Sequence, residues 1–158
     1  MLIDGYNLLR AIQNTYEEMA GIDEIALCTV LSVYLKKIKK RGCIVFDGLG
    51  PPDKTALNNF RNPQIIFSGS ALEADDIIEK LILEHTAPKR LVVVSTDRRI
   101  KAAARKRKAK SINSNEFWAE VIKCIEKKQK HIPEPKEKLT GLTNSEAELW
   151  LKEFGLDK

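Results

Sequence analysis

The sequence predicts an α/β fold of three layers, with a central, mostly parallel sheet of four to five strands flanked by helices. Three observations predict it. Short apolar runs rich in Ile, Val and Phe recur along the chain, helical patterns separate them, and that alternation requires crossover connections between parallel strands. At 158 residues the chain has the length of one domain and can bury a core without disulfides.

The first strand is predicted at Met1–Ile3, and no element is assigned between it and Asp23. A helix follows over Asp23–Arg41, with Leu27, Val30, Leu31, Tyr34, Leu35 and Ile38 on one face and Gly42 as its C-cap. Strands two and three are Cys43–Phe46 and Gln64–Phe67, short, apolar and bounded by turn residues. A helix over Ala71–His85 turns Ala74, Ile77, Ile78, Leu81 and Ile82 inward, and Pro88 lies beyond its end. Strand four is Leu91–Val94, a helix covers Arg98–Lys108, a weaker fifth strand runs through Lys110–Ile112, and a last helix spans Asn115–Lys128. These elements define a domain over 1–129. Residues 130–158 read as a charged, proline-containing linker and a short amphipathic helix, with Thr143 and Glu146 as a capping box. Trp150 and Phe154 on that helix need a cover, either the domain itself or, failing that, a second copy through self-association or another protein.

The bulk properties exclude several function classes. Hydrophobic residues are 43% and charged residues 31%, and no apolar run approaches the roughly 18 residues of a membrane span. A strand that starts at Met1 leaves no room for a secretory signal, so a cytoplasmic protein is expected. Cys28, Cys43 and Cys124 are odd in number, widely spaced and set in or beside apolar segments, which favours buried thiols over disulfides or zinc. His85 and His131 stand apart from one another, which disfavours a Ser-His-Asp triad. Charge is unevenly spread: residues 1–97 hold 11 bases and 13 acids, whereas 98–158 hold 16 bases and 9 acids. That pattern pairs an acidic site with a cationic surface for a polyanion.

Aspartates stand where strands end. Asp4 follows strand one, Asp47 follows strand two, and Asp97 lies just past strand four, after Ser95 and Thr96. The helix after strand three opens with Glu73, Asp75 and Asp76, so six acids are expected on the carboxyl edge of the sheet, where ligands bind in such folds. Each has a structural excuse. Glu73 can complete a capping box with Ser70, Asp97 can cap the helix at Arg98, and first-turn acids suit a helix dipole. Together they are harder to excuse, because crowded carboxylates repel unless a cation neutralises them. Oxygen donors alone suit Mg²⁺ or Mn²⁺, and such a site supports phosphoryl chemistry. Helical periodicity sets Glu73 and Asp75 beside the apolar stripe and turns Asp76 away. No Gly-x-Gly-x-x-Gly or Walker loop is present.

The stretches Ile3-Asp4-Gly5-Tyr6-Asn7-Leu8-Leu9, Val45-Phe46-Asp47-Gly48, Glu73-Ala74-Asp75-Asp76-Ile77-Ile78 and Val94-Ser95-Thr96-Asp97 resemble the YacP-like NYN-domain proteins of the PIN-like nuclease superfamily. The second and third are also similar to flap endonucleases and polymerase-associated 5′ nucleases. The resemblance covers about residues 1–129 and implies a PIN-like, Rossmann-like fold, metal-dependent phosphodiesterase activity, and endonucleolytic action on RNA linked to the ribosome. By position it implies that Asp4, Asp47, Glu73, Asp75, Asp76 and Asp97 bind one or two metal ions or support those that do, and that Asn7 orients Asp4 or a phosphate. One position departs: where 5′ nucleases often carry another Asp, this chain has Arg99. That residue keeps open a second reading, an RNA- or ribosome-binding module with little catalysis; a third, a DNA-directed 5′ nuclease, ranks below RNA cleavage because a chain of 158 residues lacks the extra helical elements that hold duplex DNA.

The expected machinery is therefore Asp4, Asp47, Glu73, Asp75 and Asp97 as catalytic carboxylates. Between Arg98 and Lys110 stand eight bases and no acid. Arg98, Arg99, Lys101 and Arg105 of that run are expected on the RNA backbone, with Ser95 and Thr96 nearby and Tyr6 stacking on a base.

Overall fold

The computed structural model describes residues 1–126. The linker and amphipathic helix expected over 130–158 lie outside them. Five parallel strands form one sheet in the order β3-β2-β1-β4-β5: β1 (Leu2–Asp4), β2 (Cys43–Phe46), β3 (Gln64–Phe67), β4 (Val92–Val94) and β5 (Lys110–Ile112). The first strand is thus the central one. Strand order reverses there, between β1 and its neighbours β2 and β4, and a crevice opens at the strands' carboxyl ends at such a switch point.

Among the described residues six α-helices connect and cover the strands: α1 (Gly5–Thr15), α2 (Glu24–Lys37), the short α3 (Thr55–Asn58), α4 (Ala74–Glu84), α5 (Arg98–Lys106) and α6 (Ser114–Glu126). Side chains alternate faces along each strand. Ile3, Ile44, Phe46 and Val94 join a core with Leu8, Leu27, Leu31, Phe117 and Trp118 from α1, α2 and α6. Leu2, Val45 and Val93 join a second core with Ile78, Ile82, Ile100 and Ala104 from α4 and α5. Both faces of the sheet are covered, the arrangement parallel strands require.

Three predicted boundaries are corrected. The stretch left without an element holds α1, whose buried face is Gly5, Leu8, Leu9 and Ile12. Leucines and isoleucine at helical spacing outweigh a glycine at the first helical position. The helix predicted to Arg41 ends at Lys37, because Lys39 adopts a left-handed φ of 54° and the Lys40 N–H bonds the Leu35 carbonyl. Gly42 serves packing instead, since a Cβ there would press on the Leu35 side chain. The helix predicted from Ala71 starts at Ala74, and the Ser70–Glu73 capping box does not form. Glu73 itself stands at the N-cap with extended backbone, and Asp47, arriving from β2, accepts the Ala74 N–H at the helix start.

Candidate functional site

Asp4 ends β1 and caps α1. Its Oδ1 accepts the Asn7 N–H (3.2 Å) and its Oδ2 accepts the Ser95 hydroxyl (3.0 Å). Ser95 is fully buried, and its Oγ also accepts the Asp97 N–H at 3.0 Å. Asp97 in turn caps α5 through the Arg99 and Ile100 N–H groups, at 2.6 and 3.4 Å. A relay of short polar contacts therefore joins the ends of β1 and β4. Asp4 is only 8% exposed, and burial raises its carboxyl pKa; the Ser95 and Asn7 hydrogen bonds oppose this, and the charges of Asp75 and Asp97 add to it.

Asp47 sits in a different setting at the end of β2. Its exposed carboxylate accepts the Ala74 N–H and the Ser68 hydroxyl, both at 3.0 Å, while Ser68 Oγ accepts the Gly48 N–H at 2.8 Å. These bonds, led by the one from α4, hold its pKa below the ordinary carboxylate value. Asp75 lies in the first turn of α4, where burial and the neighbouring Asp97 raise its pKa despite the opposing field of Arg99.

These side chains face a cleft of about 280 Å³ lined by Asp4, Tyr6, Asn7, Arg10, Asp47, Glu73, Asp75 and Asp97. The structure thus brings together five of the six expected acids, supplied by four separate segments. As the side chains stand, no three acidic, histidine or cysteine groups among the described residues lie close enough to enclose an ion. Asp76 faces elsewhere and pairs with Arg99 at 2.7 Å.

The expected substrate-binding residues divide. Tyr6 lines the cleft, its ring packed edge-on against Phe46 and its hydroxyl donating to Glu24 at 2.7 Å; burial and Glu24 push its pKa to about 12. Asn7 Oδ1 accepts the Thr96 N–H (2.9 Å) and the Ser114 hydroxyl (2.7 Å), so its side chain ties the β4 end and α6 to α1. Thr96 itself is exposed. Arg99 is turned from the cleft into a knot with Glu79 (2.7 Å), Asp76 (2.7 Å) and Glu73 (3.9 Å), and hydrogen bonds to Glu79 and Asp76 raise its pKa. Lys101 donates to Asn113 Oδ1 at 2.7 Å. Arg98 and Arg105 are exposed and outside the cleft lining.

Three residues of the site escaped sequence reasoning. Arg10 lines the cleft, Ser68 braces Asp47 and Ser114 braces Asn7. A helix read from Asp4 onward would have placed Tyr6, Asn7 and Arg10 on one face through their three- and four-residue spacings.

The family model described as YacP-like NYN domain matches residues 1–153. The chain belongs to that family. NYN domains are nuclease-like, which makes nucleic acid the expected substrate class of this one. Two crystal structures of Rae1 (YacP) from Bacillus subtilis share the NYN-domain fold described above. One superposes with a TM-score of 0.65 at 22% identity, covering 83% of this chain and 78% of that one. The other, a point mutant, gives 0.64 at 19%, covering 82% and 78%. No curated protein matches this NYN domain in sequence. Among its described residues no helix is long and apolar enough to cross a membrane.

Proposed function

We propose that this NYN domain is a divalent-metal-dependent endoribonuclease that hydrolyses phosphodiester bonds in RNA, with the ribosome as the setting in which it meets mRNA. The observation that carries the reading is the convergence of Asp4, Asp47, Glu73, Asp75 and Asp97 on one cleft at the switch point of a nuclease-like fold. The donor set fits the metal. It offers carboxylate oxygens, the ligands of Mg²⁺ and Mn²⁺, and burial together with neighbouring carboxylates raises the pKa values of Asp4 and Asp75, a cost to the ionised forms that a cation would relieve. Asp4, Asp47, Asp75 and Asp97 would hold one or two ions, with Glu73 swinging in from its exposed position. When bound, such an ion supplies Lewis acidity and an activated water for attack on phosphorus.

The chain's own residues do the orienting. Ser95 and the Asn7 N–H fix both oxygens of Asp4, Ser68 and the start of α4 fix Asp47, and the turn into α5 fixes Asp97. Carboxylates held this way need not reorganise when charge develops on the phosphate oxygens, and that preorganisation is the main source of catalytic stabilisation in sites of this kind. The Tyr6 ring beside Asp4 offers a base-stacking surface on the cleft wall.

Cleavage of a labelled single-stranded RNA with Mn²⁺, Mg²⁺ or EDTA, by the wild type and by Asp4→Asn and Asp97→Asn, tests the reading. Cutting that requires metal and disappears in both variants is expected. One observation favours a second reading, an RNA- or ribosome-binding module: the described acids do not close into a three-ligand cluster as they stand. Metal-independent RNA binding without cutting would decide for it. Cutting of flap DNA in preference to RNA would instead make the chain a 5′ nuclease.

A further inference from the structure

The cleft carries five carboxylates and one cation, Arg10. A phosphodiester entering it meets a formal charge of −4 when every acid is ionised; one divalent ion offsets half of that and two bring it only to zero, so the metal alone gives no net attraction. A fixed cation on the wall is the remaining means of attracting the substrate. Arg99 cannot serve, because Asp76 and Glu79 already hold its guanidinium at 2.7 Å and close its donors. Arg10 is differently placed. It is exposed on α1, one turn past Tyr6 and Asn7, and it makes no ion pair with the described residues. It lies close enough to Asp47 to lower that carboxyl's pKa through its field, yet it forms no salt bridge there.

Resting on the nuclease reading, we infer that Arg10 is the substrate-positioning cation of the cleft, receiving a backbone phosphate of single-stranded RNA while the carboxylates opposite face the scissile bond. The guanidinium is suited to this, since its planar fork can grip two phosphate oxygens and it stays charged at every physiological pH. Helix α1 supplies the geometry: Asp4 caps it, Asn7 pins it to the end of β4 and the start of α6, and Arg10 projects from the same rigid rod. Its distance from Asp4 along the helix is therefore constant. Arg99 instead neutralises acids on the outer side of α4 and contributes little to phosphate binding.

The test measures binding of a labelled single-stranded RNA by fluorescence anisotropy across a salt series. The full chain carries Asp97→Asn as the parent background, so that the RNA survives. Adding Arg10→Gln is expected to weaken binding about tenfold, the size of one lost charged hydrogen bond. It should also flatten the slope of log K against log salt by about 0.7, the loss of one phosphate contact on a single strand. Arg10→Lys should restore the slope, and Arg99→Gln should leave it at the parent value. In the otherwise wild-type chain with Mn²⁺, Arg10→Gln should raise KM for cleavage more than it lowers kcat. An unchanged slope with Arg10→Gln, or a slope that falls with Arg99→Gln instead, overturns the inference and leaves the nuclease reading standing. A parent that binds no RNA overturns both.

Discussion

The ends of β1 and β2 carry the same residue in adjacent strands, yet Asp4 and Asp47 are electrostatic opposites. Asp4 is buried at the switch point, and the loss of water raises its pKa. Asp47 is exposed, and the start of α4 together with Ser68 lowers its pKa. Both strands have a neighbour on either side, so local packing makes the difference. Asp4 caps α1 with the buried Ser95 behind it, whereas Asp47 stands exposed beside the start of α4. A carboxylate kept at the first place costs stability, which is the mark of a group retained for chemistry; one at the second contributes to the fold as it stands.

The largest effect that would sharpen this contrast is catalytic. Under the proposed function, Asp4→Asn and Asp47→Asn should each lower metal-dependent RNA cleavage by on the order of a hundredfold or more. Thermal melts should separate the pair, Asp4→Asn melting no lower than the wild type and Asp47→Asn melting lower. Equal losses of stability would break the comparison.

Next in size is Gly5→Ala, at the joint between β1 and α1. A Cβ there would overlap the Phe46 ring from β2, and overpacking of this kind costs about 1–3 kcal/mol. Chemical denaturation checks it; a neutral result would mean that the two strand ends are not packed together as described.

The contributions of the two carboxyls to stability should vary with pH in opposite senses. Asp4 has a native pKa above its unfolded value of 3.8, so the folded state binds the extra proton and stability falls as pH rises from about that value through the native pKa. Asp47 has a native pKa below 3.8, so its contribution is complete above that value and is lost as pH falls through the native pKa. Urea titrations of wild type, Asp4→Asn and Asp47→Asn across the acid range measure both. An Asp4→Asn profile that keeps the wild-type decline would remove burial as the cause. The smallest effect is that of Ser68→Ala, which deletes one bond to Asp47 and should cost about 1 kcal/mol with the Asp4 end undisturbed.

Much of this contrast was written locally and much was not. All five strands were legible because each is a short apolar run between turn residues, and with them came the aspartates at their ends. The capping of α5 by Asp97 was legible too, since a cap is set by its own neighbours. The Ser70–Glu73 box did not form because the helix starts later, with Glu73 at its N-cap, and the first N–H of that helix, Ala74, is taken by Asp47, more than twenty residues away. Arg99 looked like a substrate contact because a run of bases shows no partners in sequence, and only the packing of α4 on α5 brings Asp76 and Glu79 to it. Arg10 was lost with the helix that bears it, where Asp-Gly-Tyr-Asn reads as a turn while Leu8, Leu9 and Ile12 already mark a buried face.

The central position of β1 also orders events in time. Ser95, which holds the second oxygen of Asp4, is made 91 residues after it, and Ser114, which steadies Asn7, comes later still. A nascent chain cannot complete the acidic edge until Ser95, Asp97 and Ser114 have all been made, so among the described residues the cleft closes late although it is built around β1.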